Sequence, residues 1–465
     1  MTEAVRCLNN TITDRSLYIV AEDKEFNRSR PYAYEVVGGT PLKGDIEISG
    51  SKNAALGIIA AAMMVDGPCT LENVPDISDV HVMMELCRSL GATIDQIDLH
   101  TYAIDPTTIN TYKASGALVS RIRASYYLMG ALLGRCHKAS IRLPGGCNFG
   151  QRPIDLHLKA FQLMGARGAR PTDIDSGIVN LTAEPLHGAK IYLDIVSVGA
   201  TINAMLAACK AEGKTEIINA AKEPHIVDVA NFLNSMGARI KGAGTDLIKI
   251  TGVPVLPGHF TYSIIPDQIE AGTYMVAAAV TGGDVTIHNL IPTHMEPLSA
   301  KMREMGYQID EGDECIRVYK NSPDDEIWST SVKTSPYPGF PTDLQPQTVV
   351  LLCTAEGQSR MHENVWQNRF QYVPELAKMG ANINVYERIA WVNGIDKFRA
   401  ARVEATDLRA GAALVCAALA AEGTSHITQA YRIDRGYEHI VSKLTALGAT
   451  IKRVYVEEYT EDTEA

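Results

Sequence analysis

The stretch SVGATINAMLAACKAEGKTEIINA, residues 197–220, followed by PHIVDVANFLNSMGARI at 224–240, contains one complete structural unit. Its first run carries alanine, methionine, leucine and cysteine on nearly every face, which predicts a helix buried all round, with small residues that let neighbours approach closely. A glycine closes that run and KTEIINA reads as a strand. The second run has its apolar residues at helical spacing on one face, so it predicts an amphipathic, half-exposed helix. Gly237 stands at its C-terminal end. There a left-handed residue caps the last carbonyls, and glycine adopts that conformation without a Cβ clash.

The pattern recurs along the chain. LCRSLGATI around Gly91, FQLMGARGA around Gly165, MREMGYQID around Gly306, LAKMGANINV around Gly380 and LTALGATIK around Gly448 repeat the capped helix end. With Gly237 they fall at intervals of about 70 residues, a regularity that marks internal repeats. The all-round apolar helix recurs in SKNAALGIIAAAMMVDGPCTLENV, IEAGTYMVAAAVTGGDVTIHNL and TDLRAGAALVCAALAAEGTSHITQA. Two helices and several short strands per repeat make an α/β unit, too long for the common solenoids, and six copies suggest two groups of three. The competing architecture, one doubly wound sheet, lacks a nucleotide fingerprint. Its nearest candidate, GAGTDL at 242–247, has no third glycine and runs into the strand-like LIKITG.

A chain of 465 residues has room for two or three domains. Its 43 basic and 54 acidic residues give a net charge of −11, which excludes a general nucleic-acid or anionic-membrane binder while leaving room for a local basic pocket. Nine cysteines without a CxxC pair predict reduced thiols in a cytoplasmic protein, with neither zinc ribbon nor disulfide framework. No apolar run is long enough for a membrane span, and the N-terminus lacks the apolar region of a secretory signal. Residues 1–33 fit no repeat and 457–465 are acidic, so both read as appendages.

Several segments carry polar residues the repeat does not require. In ISGSKNAAL, Lys52 and Asn53 begin a buried helix, where a lysine opposes the helix dipole. An anion held by the helix N–H groups and the ammonium together would explain it; a solvated lysine is the plainer reading. In LPGGCNFGQRPIDLH, Gly145, Gly146 and Gly150 make a pliable loop around Cys147, with Arg152 and Asp155 following. A cysteine so placed near an arginine can be reactive, or it can be an incidental loop thiol. Arg123, Arg369, Arg409 and Arg435 stand in polar turns before apolar helices. Singly they read as ion-paired surface residues; together they could converge on phosphate and carboxylate groups. Asp343 in PYPGFPTDLQPQ reads, by itself, as a helix N-cap.

SGSKNAAL, RASYYLMG, PGGCNFGQRPIDLH, SVGAT, FPTDLQPQ, NRFQYVPEL, ATDLRA and IDRGYEHI, in that order from about Tyr34 to Val456, resemble the enolpyruvyl transferase family, in the branch that carries a cysteine loop. The resemblance implies an α/β fold of two inside-out α/β barrel domains, each of three repeats with helices inside and sheets outside. The first would be 52–265 and the second 34–51 with 266–456, flanked by the extension 1–33 and the tail 457–465. It implies a cytoplasmic enzyme that moves the enolpyruvyl group of phosphoenolpyruvate to the 3-hydroxyl of UDP-N-acetylglucosamine for peptidoglycan, with release of phosphate. The route is addition, then elimination, through a tetrahedral ketal. Neither metal nor cofactor is implied, because arginines can neutralise the phosphate.

Carried over by position, Lys52, Asn53, Arg152, Arg409 and Arg435 hold phosphoenolpyruvate. Arg123, Arg152, Pro153, Ile154, Asp155, Leu156, Asp343 and Val365 contact the nucleotide sugar. Lys52, Cys147, Asp343 and Arg435 form the catalytic set: Asp343 is the base candidate, and Cys147 is a proton donor or a residue of positioning and product release. Three positions depart from the family pattern, Gln268 for arginine, Gln367 for glutamate and His225 for glutamate, and they bear on acceptor recognition. A related transferase using another uridine nucleotide, or an inactive regulatory paralogue, are the alternatives.

Overall fold

The computed structural model describes residues 30–114, 116–143, 154–174, 177–322 and 324–456. The chain divides into two compact units, one formed by 49–267 with 336–338 and the other by 30–48, 268–335 and 339–456.

In the 49–267 unit the three small-residue helices, α1 (Lys52–Ala62), α2 (Tyr127–Cys136) and α3 (Val198–Cys209), lie at the centre, α2 packing on both others. Every residue of α1 except Asn53 is buried. Gly130 shows why the helices need small residues: a Cβ there would meet the Asn203 carbonyl oxygen at 2.5 Å. Amphipathic helices Ser78–Ser89 and Pro224–Ser235 cover the trio from outside, each with one buried face.

Two four-stranded sheets of this unit share one plan. One runs Thr261–Ser263, Cys69–Glu72, Tyr102–Asp105, Thr93–Gln96; the other runs Lys190–Tyr192, Lys214–Ile218, Leu247–Thr251, Arg239–Lys241. The first pair in each is parallel and the rest antiparallel. In the remaining sheet Lys138–Arg142 pairs antiparallel with Ile178–Thr182, and single bridges at Lys113 and Arg167 stand where the outer strands would be.

The second unit repeats the plan three times. Helices α4 (Gln268–Val280), α5 (Gln345–Cys353) and α6 (Leu408–Ala420) all pack on one another and are buried almost throughout. Around them the strand order is Lys43–Glu47, Asp284–His288, Cys315–Tyr319, Gln308–Glu311, then Ser331–Lys333, Gln358–His362, Ile389–Asn393, Asn382–Tyr386. The last sheet is Arg402–Glu404, Thr424–Thr428, Tyr32–Val37, Thr450–Tyr455, so the first of the described strands completes the last repeat. Buried Asp434 fixes that strand, accepting hydrogen bonds from the Tyr32 and Tyr34 hydroxyls and from Arg453 at 3.0 Å. Each unit is thus an inside-out α/β fold, its helices central and its sheets peripheral, with strand pairing confined to separate sheets.

All six capping glycines, at 91, 165, 237, 306, 380 and 448, have φ between 90 and 107°. A side chain there costs about 1–2 kcal/mol in the left-handed region. GAGTDL is the turn of the hairpin joining Arg239–Lys241 to Leu247–Thr251, with Thr245 N–H donating to the Gly242 carbonyl at 3.0 Å. The cysteine expectation needs one correction. Six described cysteines are free thiols, but Cys315 is disulfide-bonded. No described helix is long and apolar enough to cross a membrane.

Candidate functional site

In the 49–267 unit, Ser51 caps α1 by accepting the Ala54 N–H, and Lys52 and Asn53 open its first turn. The Lys52 backbone N–H donates to Asp267 Oδ2 at 2.9 Å, Asp267 N–H to the Ser49 carbonyl at 2.9 Å, and Ser51 N–H to the Ile265 carbonyl at 2.7 Å. Segment 265–267 is thereby clasped to the start of the helix. Asp228 holds the other side of that segment, accepting the Tyr262 hydroxyl at 2.6 Å and the Ile265 N–H at 3.2 Å. Burial pushes the Asp228 carboxyl up to about 6, against those two hydrogen bonds.

The Lys52 ammonium lies 2.8 Å from Asp79 Oδ2, in the first turn of Ser78–Ser89, with the two side chains only 9% and 7% exposed. The sequence leaves this cation either for an anion or for solvent. The structure places it on a buried carboxylate instead, and a carboxylate on a helix N-terminus is itself favoured by the dipole.

Arg123 lies in the short 3-10 turn Arg123–Tyr126, its guanidinium 5.5 Å from the centre of the Tyr126 ring. Tyr126 meets the buried His157 ring edge-on at 5.9 Å. His157 Nδ1 is 2.9 Å from the Asn203 amide nitrogen, while Asn203 Oδ1 accepts the Gly130 N–H at 2.8 Å. Burial first, and the Arg123 charge second, push the His157 imidazole down to about 4. The ring is therefore neutral at pH 7, and the Asn203 donor places its proton on Nε2. Arg123 and the turn Ile154–Leu156 that starts helix Asp155–Leu163 are linked through this cluster; Ile154 and Leu156 are buried and Asp155 is exposed. Cys147, Arg152 and Pro153 lie outside the described residues.

In the second unit, Asp343 sits in the 3-10 turn Thr342–Leu344 ahead of α5. Its carboxylate faces two arginines and not a helix end. Arg409 donates to Oδ2 through Nε at 3.3 Å and Nη2 at 3.1 Å, and Arg369 Nη2 is 3.5 Å from Oδ1. The arginine side chains are 5% and 3% exposed and Asp343 is 32% exposed, so the acid presents an open side with cations behind it. Arg409 occupies the first turn of α6, an unfavourable end for a cation. Asp407 offsets this as the N-cap, accepting the Arg409 and Ala410 N–H groups at 2.8 and 3.2 Å. The Tyr437 ring lies 5.7 Å from the Arg409 guanidinium, its hydroxyl held at 2.9 Å by Thr273 and 3.1 Å by Gln347. Arg435 is half-buried, next to the Asp434 that fixes the first strand.

Val365 directs its N–H to Glu363 Oε1 at 2.8 Å, which leaves its carbonyl for other contacts. Glu363 is a fully buried acid that sequence reasoning missed, because a lone glutamate at a strand end reads as solvated. Of the departures, His225 is buried, Gln268 half-buried and Gln367 exposed. Gln367 lines an open polar cavity of about 410 Å³ with His362, Asn368, Glu387, Arg388 and Ile389. Among the described residues no group of three His, Cys, Asp or Glu side chains is arranged to hold a metal ion.

In chemical terms the Asp343 side offers a carboxylate able to accept a hydroxyl proton beside guanidinium groups suited to anions. The family model described as EPSP synthase (3-phosphoshikimate 1-carboxyvinyltransferase) matches residues 36–444. The chain is 53% identical over 421 residues, 90% of its own length and 99% of the relative's, to UDP-N-acetylglucosamine 1-carboxyvinyltransferase 3 of Caldanaerobacter subterraneus subsp. tengcongensis. It is 52% identical, over 90% of its length and 99% of the relative's, to UDP-N-acetylglucosamine 1-carboxyvinyltransferase of Clostridium botulinum. Among solved structures, the enolpyruvyl transferase NikO from Streptomyces tendae superposes with a TM-score of 0.84 at 27% identity, covering 92% of this chain and all of that one. An EPSP synthase from Acinetobacter baumannii, at a TM-score of 0.69 and 19% identity over 91% of this chain and all of that one, shares the fold.

Proposed function

The chain belongs to the EPSP synthase (3-phosphoshikimate 1-carboxyvinyltransferase) family, and from that membership we propose that it is a UDP-N-acetylglucosamine 1-carboxyvinyltransferase. It moves the enolpyruvyl group of phosphoenolpyruvate to the sugar 3-hydroxyl and releases phosphate, a cytoplasmic step toward peptidoglycan. The observation that carries this reading is the match at half identity along nine-tenths of the chain to relatives of that name. The solved enolpyruvyl transferase NikO, at 27% identity, supports the enolpyruvyl transfer chemistry and leaves the choice of acceptor to the more similar relatives.

Asp343, open on one side and backed by Arg409 and Arg369, takes the proton of the sugar 3-hydroxyl as its oxygen bonds to C2 of the donor. C3 gains a proton in that step, from the Cys147 thiol or with Cys147 acting as a positioning and release residue. Phosphate then leaves C2 as C3 loses a proton, which restores the double bond. Arg409, Arg435, Arg152, Lys52 and Asn53 hold the donor's phosphate and carboxylate, with Lys52 turning from Asp79 to the anion. Arg123, Arg152, Pro153, Ile154, Asp155, Leu156 and the Val365 carbonyl receive the nucleotide sugar, with neutral His157 holding Arg123 and the Ile154–Leu156 turn in one cluster. The two compact units are read as the two enolpyruvyl transferase domains.

Phosphate release from phosphoenolpyruvate tests the proposal against a panel of acceptors. UDP-N-acetylglucosamine should raise the rate by at least about a hundredfold over other uridine nucleotides. An equal or better response to another one would move the assignment to that acceptor, and acceptor binding without turnover would identify an inactive paralogue.

A further inference from the structure

Glu363 is 0% exposed, and among the described residues it has no cation at ion-pair distance. A buried carboxylate without a counter-ion is among the most expensive groups a fold can retain, so its place calls for a reason beyond packing. Its Oε1 accepts the Thr334 hydroxyl at 2.9 Å and the Val365 and Trp366 N–H groups at 2.8 and 2.9 Å. Its Oε2 accepts the Thr342 hydroxyl at 2.9 Å. Its own N–H donates to the Arg388 carbonyl at 2.8 Å, and Thr334 Oγ1 also accepts the Asn364 N–H at 2.8 Å. One carboxylate therefore joins strand Ser331–Lys333, the 364–366 loop and the turn that carries Asp343.

We infer that Glu363 is a positioning residue for the transfer, acting through Thr342 to hold the Asp343 carboxylate against the sugar hydroxyl. The inference rests on the reading of Asp343 as the base. A neutral amide would satisfy three of the four donors through its oxygen, yet it would present an N–H where Thr342 now finds an acceptor. With both oxygens accepting, the side chain ties the Asp343 turn to the loop in one fixed geometry.

The test compares Glu363→Gln, Thr342→Val, Thr342→Ser and the double variant Glu363→Gln/Thr342→Val, measuring kcat, both KM values and Tm. We expect Glu363→Gln and Thr342→Val each to lower kcat by about tenfold or more while KM values stay within about threefold, since misplacing a base costs the chemical step. Thr342→Ser should keep kcat, and the double variant should be no worse than either single one, because both act on the same contact, which the amide N–H reverses and valine removes. A kcat within about twofold of wild type for Glu363→Gln or Thr342→Val, with or without a lower Tm, overturns the inference, as does full additivity in the double variant. If Glu363→Gln does not fold, the Thr342 pair decides alone. Asp343→Asn separates the two layers. Full activity in that variant sinks the base reading itself, whereas an inactive Asp343→Asn beside a fully active Thr342→Val sinks only the role of Glu363.

Discussion

Asp79→Asn perturbs the pair that most directly governs the candidate donor cation. Lys52 and Asp79 meet at 2.8 Å with less than a tenth of either side chain exposed. Removing one partner of such a pair costs about 3–5 kcal/mol, because the remaining charge stays buried. The asparagine oxygen still accepts a hydrogen bond from the ammonium, so the lower end applies, about 3 kcal/mol. For a unit of this size that is a fall in Tm of about 6–12 °C. Calorimetry is the suitable assay, since all three tryptophans, Trp328, Trp366 and Trp391, lie in the other unit and would not report the change. An anion at Lys52 should replace the missing carboxylate, so inorganic phosphate should raise the variant's Tm by more than it raises the wild type's. A variant melting within about 2 °C of wild type, or an equal gain from phosphate in both, would refute the reasoning.

Asp228 gives a pH test. Its carboxyl is raised to about 6 in the folded state, above an unfolded value of about 3.9. The folded state therefore binds this proton more tightly, and wild type loses stability as pH rises from about 4 through about 6, by at most about 3 kcal/mol. Asparagine does not titrate, so the difference between Asp228→Asn and wild type should move in the variant's favour between pH 4.5 and 7; urea unfolding showing a constant difference would contradict the assignment. Cysteine labelling gives the other test. Burial raises the thiols of Cys69, Cys87, Cys209, Cys353 and Cys416 to about 12, so an epoxide-bearing phosphonate should alkylate Cys147 and spare them, faster when the nucleotide sugar is present. Peptide mass mapping that finds the label spread over several of these cysteines would refute it.

The repeat was legible because each copy has the same local physics. A glycine that must be left-handed and a helix apolar on every side leave marks in the sequence, and Gly91 through Gly448 all adopt the required φ. The sheets were harder to read, since some of their strands come from far along the chain: Tyr32–Val37 completes the last repeat, and Thr261–Ser263 pairs with a strand of the first. Motif position singled out Asp343, Arg369 and Arg409, but only the fold brings the two guanidiniums onto one carboxylate and turns Asp343 away from an N-cap role. Asp79 was missed because it stands in the first turn of an amphipathic helix, where an acid needs no further explanation. Glu363 and His157 carry no local signal. Their importance lies in partners at Thr334, Thr342 and Asn203, which sequence spacing does not reveal.

The central claim is enolpyruvyl transfer by addition and elimination, and product analysis in deuterated water tests it most directly. With phosphoenolpyruvate and UDP-N-acetylglucosamine, nuclear magnetic resonance should show an enolpyruvyl ether at the sugar O3, one phosphate per ether, and deuterium in the vinyl methylene. The deuterium is required because C3 passes through a methyl group that gains one solvent hydron and loses one. Phosphate without ether would mean hydrolysis, and an ether free of deuterium would mean direct displacement; either result contradicts the account.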